Sequence, residues 1–330
     1  MDIRANWHRA TISLLAAAAL SAFAAFPAAA SSGEGHFDRT LTVSGPVNLE
    51  VQTGSGSIIV RSGDSSRVEI HGKIQVDHEF LGDAESRIQQ IEQNPPIRQD
   101  GNTITVGRVE DLSFLNHMSI SYEIVTPKET KLHATSGSGD EKIDGIAGPV
   151  ETSSGSGGLR LHSIGGDVRA HTGSGDVEID GVQGKAHVAT GSGGIRAVGI
   201  GGAVTATTGS GDVRVEQTAA GDVDVSTGSG TVTLEHVKGG ARVRSGSGNI
   251  HAEGEPVAPW TLHTGSGDLA VKLPSDAKFD LAAASGSGSI ETAREIEVSG
   301  MNKNHELRGK VNGGGVLVEL HTSSGSIRID

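Results

Sequence analysis

The phrase Gly-Ser-Gly begins at residues 54, 137, 155, 173, 191, 209, 228, 246, 265 and 286. From residue 137 the copies follow at steps of 18, 18, 18, 18, 19, 18, 19 and 21, and a degenerate copy, TSSGSIRID, closes the chain. A fixed period of this size means that one small structural unit is stacked many times. In the unit TGSGDVEIDGVQGKAHVA, Val177 and Ile179 alternate with Asp176, Glu178 and Asp180. After GVQG, Ala186 and Val188 alternate with Lys185 and His187. Alternation with period two marks strands that bury one face.

Laying the units over one another gives four apolar columns. The first runs Leu159, Val177, Ile195, Val213, Val232, Ile250, Leu269, Ile290, and the second Ile143, Leu161, Ile179, Ala197, Val215, Leu234, Ala252, Val271. The third runs Val150, Val168, Ala186, Val204, Val223, Ala241, Trp260, Phe279, and the fourth includes Ala170, Val188, Ala206, Val225, Val243, Leu262, Leu281. Two polar residues enter the columns, Glu141 and Thr152, both in the first unit.

Two architectures share this pattern. An antiparallel meander would pair Val188 with the Val177 strand across GVQG. A β-solenoid would set Val188 beside Ala170 and Ala206, all three running the same way. A meander leaves its apolar face without a partner, whereas a solenoid folds that face onto itself and satisfies backbone groups between coils. The expected fold is therefore all-β, a right-handed parallel β-helix or β-solenoid of about 18-residue coils, since parallel crossovers are right-handed. Each Gly-Ser-Gly is a corner, where Gly supplies positive φ. The hydroxyl before it (Ser136, Ser154, Thr172, Thr190, Thr208, Thr227, Ser245, Thr264) is free to bond a neighbouring coil.

The segments YEIVTPKETKLHATSGSGD (122–140), LHTGSGDLAVKLP (262–274) and VNGGGVLVELHTSSGSIRID (311–330), with the TGSGDV copies between them, resemble the bacterial domain-of-unknown-function 4097 family. That family carries an adhesin label and is related to the head domain of autotransporter adhesins. The resemblance covers most of the chain after residue 30 and implies a β-helix in the cell envelope with no established catalytic residues.

The first thirty residues read as an address. Arg4 and Arg9 precede the apolar run ATISLLAAAALSAFAAF, and Ala28 and Ala30 supply an A-x-A cleavage pattern. A membrane anchor is the weaker reading, because a run of about 17 residues is short for a span and meets Pro27. Cleavage after Ala30 would leave a periplasmic or secreted chain, not an integral membrane protein. The organisation then reads as 1–30 leader, 31–135 β-rich cap and first coils, and 136–330 regular solenoid with a C-terminal cap. Within the cap, DAESRIQQIEQ predicts a short helix near 83–93, with Asp83 as N-cap, Ala84, Ile88 and Ile91 on one face, and Pro95 and Pro96 as the stop.

Composition excludes several activities. The formal net charge is −13, and no basic run is present, so phosphate backbones are repelled and nucleic acid is not an expected partner. There is no Cys, hence no disulfide and no thiolate metal site. A dinucleotide loop needs a third Gly where this chain has Lys142, Arg160, Glu178, Arg196 or Arg214, and a helix where it has a strand. HEFLG at His78 and HELRG at His305 lack the second His of a zinc protease, and no G-x-S-x-G elbow occurs. Calcium β-rolls place Asp two residues after Gly. Here Asp140, Asp176, Asp212 and Asp268 follow Gly directly, and intervening coils offer Gly158, Gly194 or Thr231. No cofactor or metal is therefore expected, and no catalytic residue is assigned.

The serious enzyme alternative is a polysaccharide lyase or hydrolase built on a β-helix, which needs grooved carboxylates and aromatic platforms. The outward row Lys142, Arg160, Glu178, Arg196, Arg214 would line such a face. After the leader, however, Trp260 and Tyr122 are the sole Trp and Tyr, and Trp260 sits in an inward column. The expected role is a non-catalytic scaffold or adhesin-like binding module that meets an envelope or surface component. His162, His171 and His187 fall at outward or turn positions and read as solvated surface groups.

Overall fold

The computed structural model describes residues 33–63, 66–76, 84–109, 117–298 and 305–330. The expected leader and the Asp83 cap lie outside those residues. Among the described residues strands dominate, with one short helix, and they join into one nearly closed, barrel-like solenoid sheet. Two parallel ladders build it. One stacks Thr130–Ser136, Val150–Ser154, Val168–Thr172, Ala186–Thr190, Val204–Ser210 and Val223–Ser229. The other stacks Glu141–Asp144, Leu159–Ile164, Val177–Val182, Ile195–Ile200 and Val213–Gln217. Val188 lies between Ala170 and Ala206, with all three strands parallel. That pairing rules out the meander for these strands.

The inward residues of both ladders form one continuous core. A fifth apolar column, absent from the sequence reading, completes it: Ile146, Ile164, Val182, Ile200 and Val237 are all buried at the second corner. Gln217 stands opposite Ile200, and its buried Nε2 donates to the carbonyls of Gly202 and Gly221 at 3.0 and 3.1 Å.

Both ends depart from a simple stack. Val47–Thr53 and Ile58–Gly63 lie directly on Thr130–Ser136 and Glu141–Asp144, so the long interval between the first two Gly-Ser-Gly copies is looped out. Its strand Met118–Pro127 continues the second ladder outward from Ile58–Gly63, and then pairs antiparallel with Arg67–Val76. Glu34–Thr42 closes that edge, also antiparallel. The helix Ala84–Gln93 buries Ile88 and Ile91, and Arg39 Nη2 donates to the Glu92 carbonyl at 3.1 Å.

At the other end the expected column order is corrected. The strand Val316–Ser324 inserts between Ile250–Ser266 and Phe279–Ser285. Trp260 is therefore followed by Val318 and then Leu281, and Leu262 by Leu320 and then Ala283, while Phe279 faces Val316. The terminal copy keeps the corner bonds on both sides: Thr322 donates to the Gly267 carbonyl and Ser285 to that of Gly325. Glu306–Val311 then pairs antiparallel with Phe279–Ser285. Antiparallel strands thus cover edges that would otherwise invite pairing with another chain.

The corner chemistry explains the repeated phrase. Thr172 Oγ1 donates to the Gly157 carbonyl of the preceding coil at 2.8 Å and accepts from the Gly175 amide at 3.2 Å. Thr190 repeats both bonds to Gly175 and Gly193, and Ser154 to Gly139 and Gly157. The expected positive φ holds at the second Gly of the later copies, as at Gly211 (φ 156°), Gly230 (φ 140°) and Gly267 (φ 150°), and close stacking requires Gly at the earlier copies too. A Cβ on Gly175 would lie 2.1 Å from the Gly157 oxygen, although Gly175 does not adopt a left-handed backbone. Positive φ occurs at the opposite corner as well, as at Gly181 (φ 76°) and Gly199 (φ 71°).

Gly175→Ala is expected to destabilise the fold by about 1–3 kcal/mol, because the obstructing atom is backbone and has nowhere to move. Gly54→Ala, in the outer coil where a Cβ meets nothing within 4 Å, should stay within about 0.5 kcal/mol of the parent. Urea unfolding of the two variants checks the contrast.

Candidate functional site

The outward row picked out in the sequence exists as a ladder: Lys142, Arg160, Glu178, Arg196 and Arg214 lie in register across adjacent strands. Its charges from Arg160 to Arg214 are answered locally, whereas Lys142 has no carboxylate within ion-pair distance among the described residues. Glu178 lies 3.9 Å from both Arg160 Nε and Arg196 Nε, Arg160 also approaches Asp140 at 3.8 Å, and Arg214 Nη2 meets Glu235 at 2.5 Å. The neighbouring row adds His162 Nδ1 against Asp144 at 2.9 Å. Exposed pairs of this kind contribute about 0.2–1 kcal/mol each. From Arg160 to Arg214 their arrangement describes a solvated, self-compensating face.

The face of the other ladder differs. A groove of about 390 Å³ crosses its strands, lined among others by Lys131, His133, Glu151, Arg169, Lys185 and His187. Both carboxylates there are occupied. Glu151 approaches His133 Nδ1 at 3.6 Å, and Asp167 Oδ1 accepts the Lys185 backbone amide at 2.8 Å. Lys131, Arg169 and the Lys185 ammonium are exposed, and no carboxylate lies within ion-pair distance of them among the described residues. The sequence reading missed these cations. The available signal was their outward place in the alternation, each one position from a buried residue: Lys131 before Leu132, Arg169 after Val168 and Lys185 before Ala186.

The acidic corners also have a structural task. Asp140 and Asp176 each accept a backbone amide of the next coil, from Gly158 and Gly194, at 2.8 Å. Among the described residues, no group of three or more His, Asp or Glu is arranged around a common point for a metal.

Inside the core, Glu141 occupies the first column between Ile58 and Leu159 and is 1% exposed. Its Oε2 accepts the hydroxyl of Thr152, which sits in the facing column between Ala134 and Ala170, and its Oε1 has no hydrogen-bond partner. Loss of water pushes the carboxyl up to about 7, against the weaker opposing pull of Thr152 and the Ser136 backbone. The two polar exceptions in the columns are therefore partners across the interior.

Neither late aromatic is a sugar platform. Trp260 is fully buried with Nε1 donating to the Gly239 carbonyl at 2.9 Å, and Tyr122 is buried edge-on to Phe37, which raises its phenol.

The Toastrack DUF4097 family model matches residues 47–330. No curated protein matches the chain. Among solved structures, a "putative adhesin" from Bacteroides fragilis shares 12% identity over 89% of this chain and 97% of that one, with TM-score 0.35. One from Parabacteroides distasonis shares 10% over 90% and 98%, with TM-score 0.38. A "putative lipid binding protein" from the same organism shares 11% over 90% and 97%, with TM-score 0.36.

Proposed function

This chain belongs to the Toastrack DUF4097 family, and from that premise we propose that it is an exported, non-catalytic scaffold or adhesin-like binding module of the cell envelope. The observation that carries the reading is the parallel register of both ladders, which repeats outward side chains strand by strand on a stack with a closed core. Solenoids of this kind act through extended faces. Pairing offsets of 18 residues, as between Val150 and Val168, support coils of that size, and the general handedness of parallel crossovers supports a right-handed path. The compartment is periplasmic or secreted, and the partner is an envelope or surface component. No helix among the described residues is long and apolar enough to cross a membrane.

Export is tested by isolating the chain from its host and sequencing its N-terminus. The first residue is expected at or within a few positions of Ser31. An intact Met1 on a membrane-embedded chain would reject the reading. A glycan hydrolase or lyase activity that disappears on neutralising Arg196 or Glu178 would move the assignment to an enzyme.

A further inference from the structure

We propose that the groove over Lys131, Arg169 and Lys185 binds an acidic polysaccharide running along the stack, across the strands. The proposal rests on the binding-module reading above and deepens it by naming the ligand chemistry. Three features of the groove carry it.

The first is charge. On a chain with net charge −13, anionic polymers are repelled in general, so retention needs a local excess of cations. On the opposite face each Arg of the central row has a carboxylate at 2.5–3.9 Å. In the groove the three cations Lys131, Arg169 and Lys185 outnumber the two carboxylates Glu151 and Asp167, Asp167 is held by the Lys185 backbone amide, and the three cationic heads face solvent.

The second is extent. The residues Leu132, Val150, Val168 and Ala186, which follow Lys131, Pro149, Asp167 and Lys185, lie in register on four adjacent strands. Lys131 and Lys185 are thus three strand spacings apart, about 14 Å, with Arg169 between them. A single small anion cannot reach all three, whereas a chain of charged sugars can.

The third is the character of the walls. The large apolar side chains exposed among the described residues are Val257, Val298 and Leu317, and none lines the groove. No Phe, Tyr or Trp lines it either. A bilayer surface would find nothing to insert, and a neutral glycan would find no ring to stack on. What remains is recognition by charge.

The test measures binding of the purified chain to polygalacturonate, to neutral dextran and to phosphatidylglycerol vesicles. Polygalacturonate is expected to bind at about 0.1 M salt and to release at about 1 M, as the screening length falls from ~10 to ~3 Å. Arg169→Glu with Lys185→Glu should weaken binding roughly tenfold. Arg169→Lys with Lys185→Arg should retain it, as should the opposite-face control Arg160→Glu with Arg196→Glu. All these positions are exposed, and thermal melts matching the parent establish that each variant is folded. Equal binding of dextran, preference for vesicles, equal loss in the opposite-face control, or no binding at low salt would each overturn the proposal. A chain found in the envelope that ignores polygalacturonate loses only the ligand assignment. A chain that is never exported loses the binding-module reading, whatever it binds in solution.

Discussion

Val188→Asp is expected to lower the unfolding free energy by about 3–5 kcal/mol, the cost of an uncompensated charge in a packed interior. Val188 is fully buried, with Ala170 and Ala206 as its neighbours on the two adjacent strands. Neither methyl offers a hydrogen bond, and the amides of these strands are already spent on the ladder. Thr152 occupies the same column two coils earlier, but its hydroxyl has Glu141 to bond, so it is no precedent for an isolated carboxylate. His187→Asp, one residue away, points outward beside Arg169 and should change stability by less than about 0.5 kcal/mol. Urea unfolding of both variants reads the difference. Similar losses in the two would mean that the alternation in this strand does not set its buried face.

Much of the core was legible because a period of two and a repeat of 18 are independent signals that agree. Val177 and Ile179 had to share a face, and their equivalents had to stack. The fifth column was equally periodic, in GIAG, SIGG, GVQG and GIGG, yet it hides inside segments that read as turns. Turn glycines draw attention from the single Ile or Val between them, which is buried in every one of these coils. The corner was recognised for a reason that holds in the later copies, as at Gly230 and Gly267, but is not the one that demands Gly in the earlier ones. Local sequence reports conformational freedom, whereas the constraint at Gly175 is an oxygen 18 residues away.

Stacking order was harder to read than stacking itself. Chain order predicts that Phe279 follows Trp260, but the terminal strand enters between them and brings Val318 against Trp260 instead. Nothing local distinguishes the two arrangements, because both bury apolar residues with period two. The site divides in the same way. Outwardness of Arg160 and Arg169 follows from alternation alone. Whether each is answered by a carboxylate depends on strands far along the chain, as with Arg214 and Glu235, 21 residues apart.

Glu141 is where an observable dependence on pH should arise. Its folded value of about 7 lies above the ordinary 4.5, so the folded chain holds this proton more tightly than the unfolded one. Stability from this group is therefore complete below about pH 4.5 and declines as pH rises towards 7, with a total loss of about 3 kcal/mol. The cause is burial: the ionised carboxylate would keep the Thr152 hydroxyl but leave Oε1 without a donor beside Ile58 and Leu159. Glu141→Leu with Thr152→Val removes the charge and the hydroxyl together and restores two apolar columns. The double variant should be more stable than the parent by about 3 kcal/mol at pH 8, in keeping with other buried polar pairs replaced by hydrocarbon. At pH 4, where Glu141 is protonated in both folded and unfolded chains, most of that advantage should vanish. Thr152→Val alone should move the other way, because it strips the carboxyl of its donor. Urea unfolding of parent and double variant from pH 4 to 8 isolates the effect, since every other titrating group is common to both. If the two stability curves run parallel across that range, Glu141 does not ionise within the folded core.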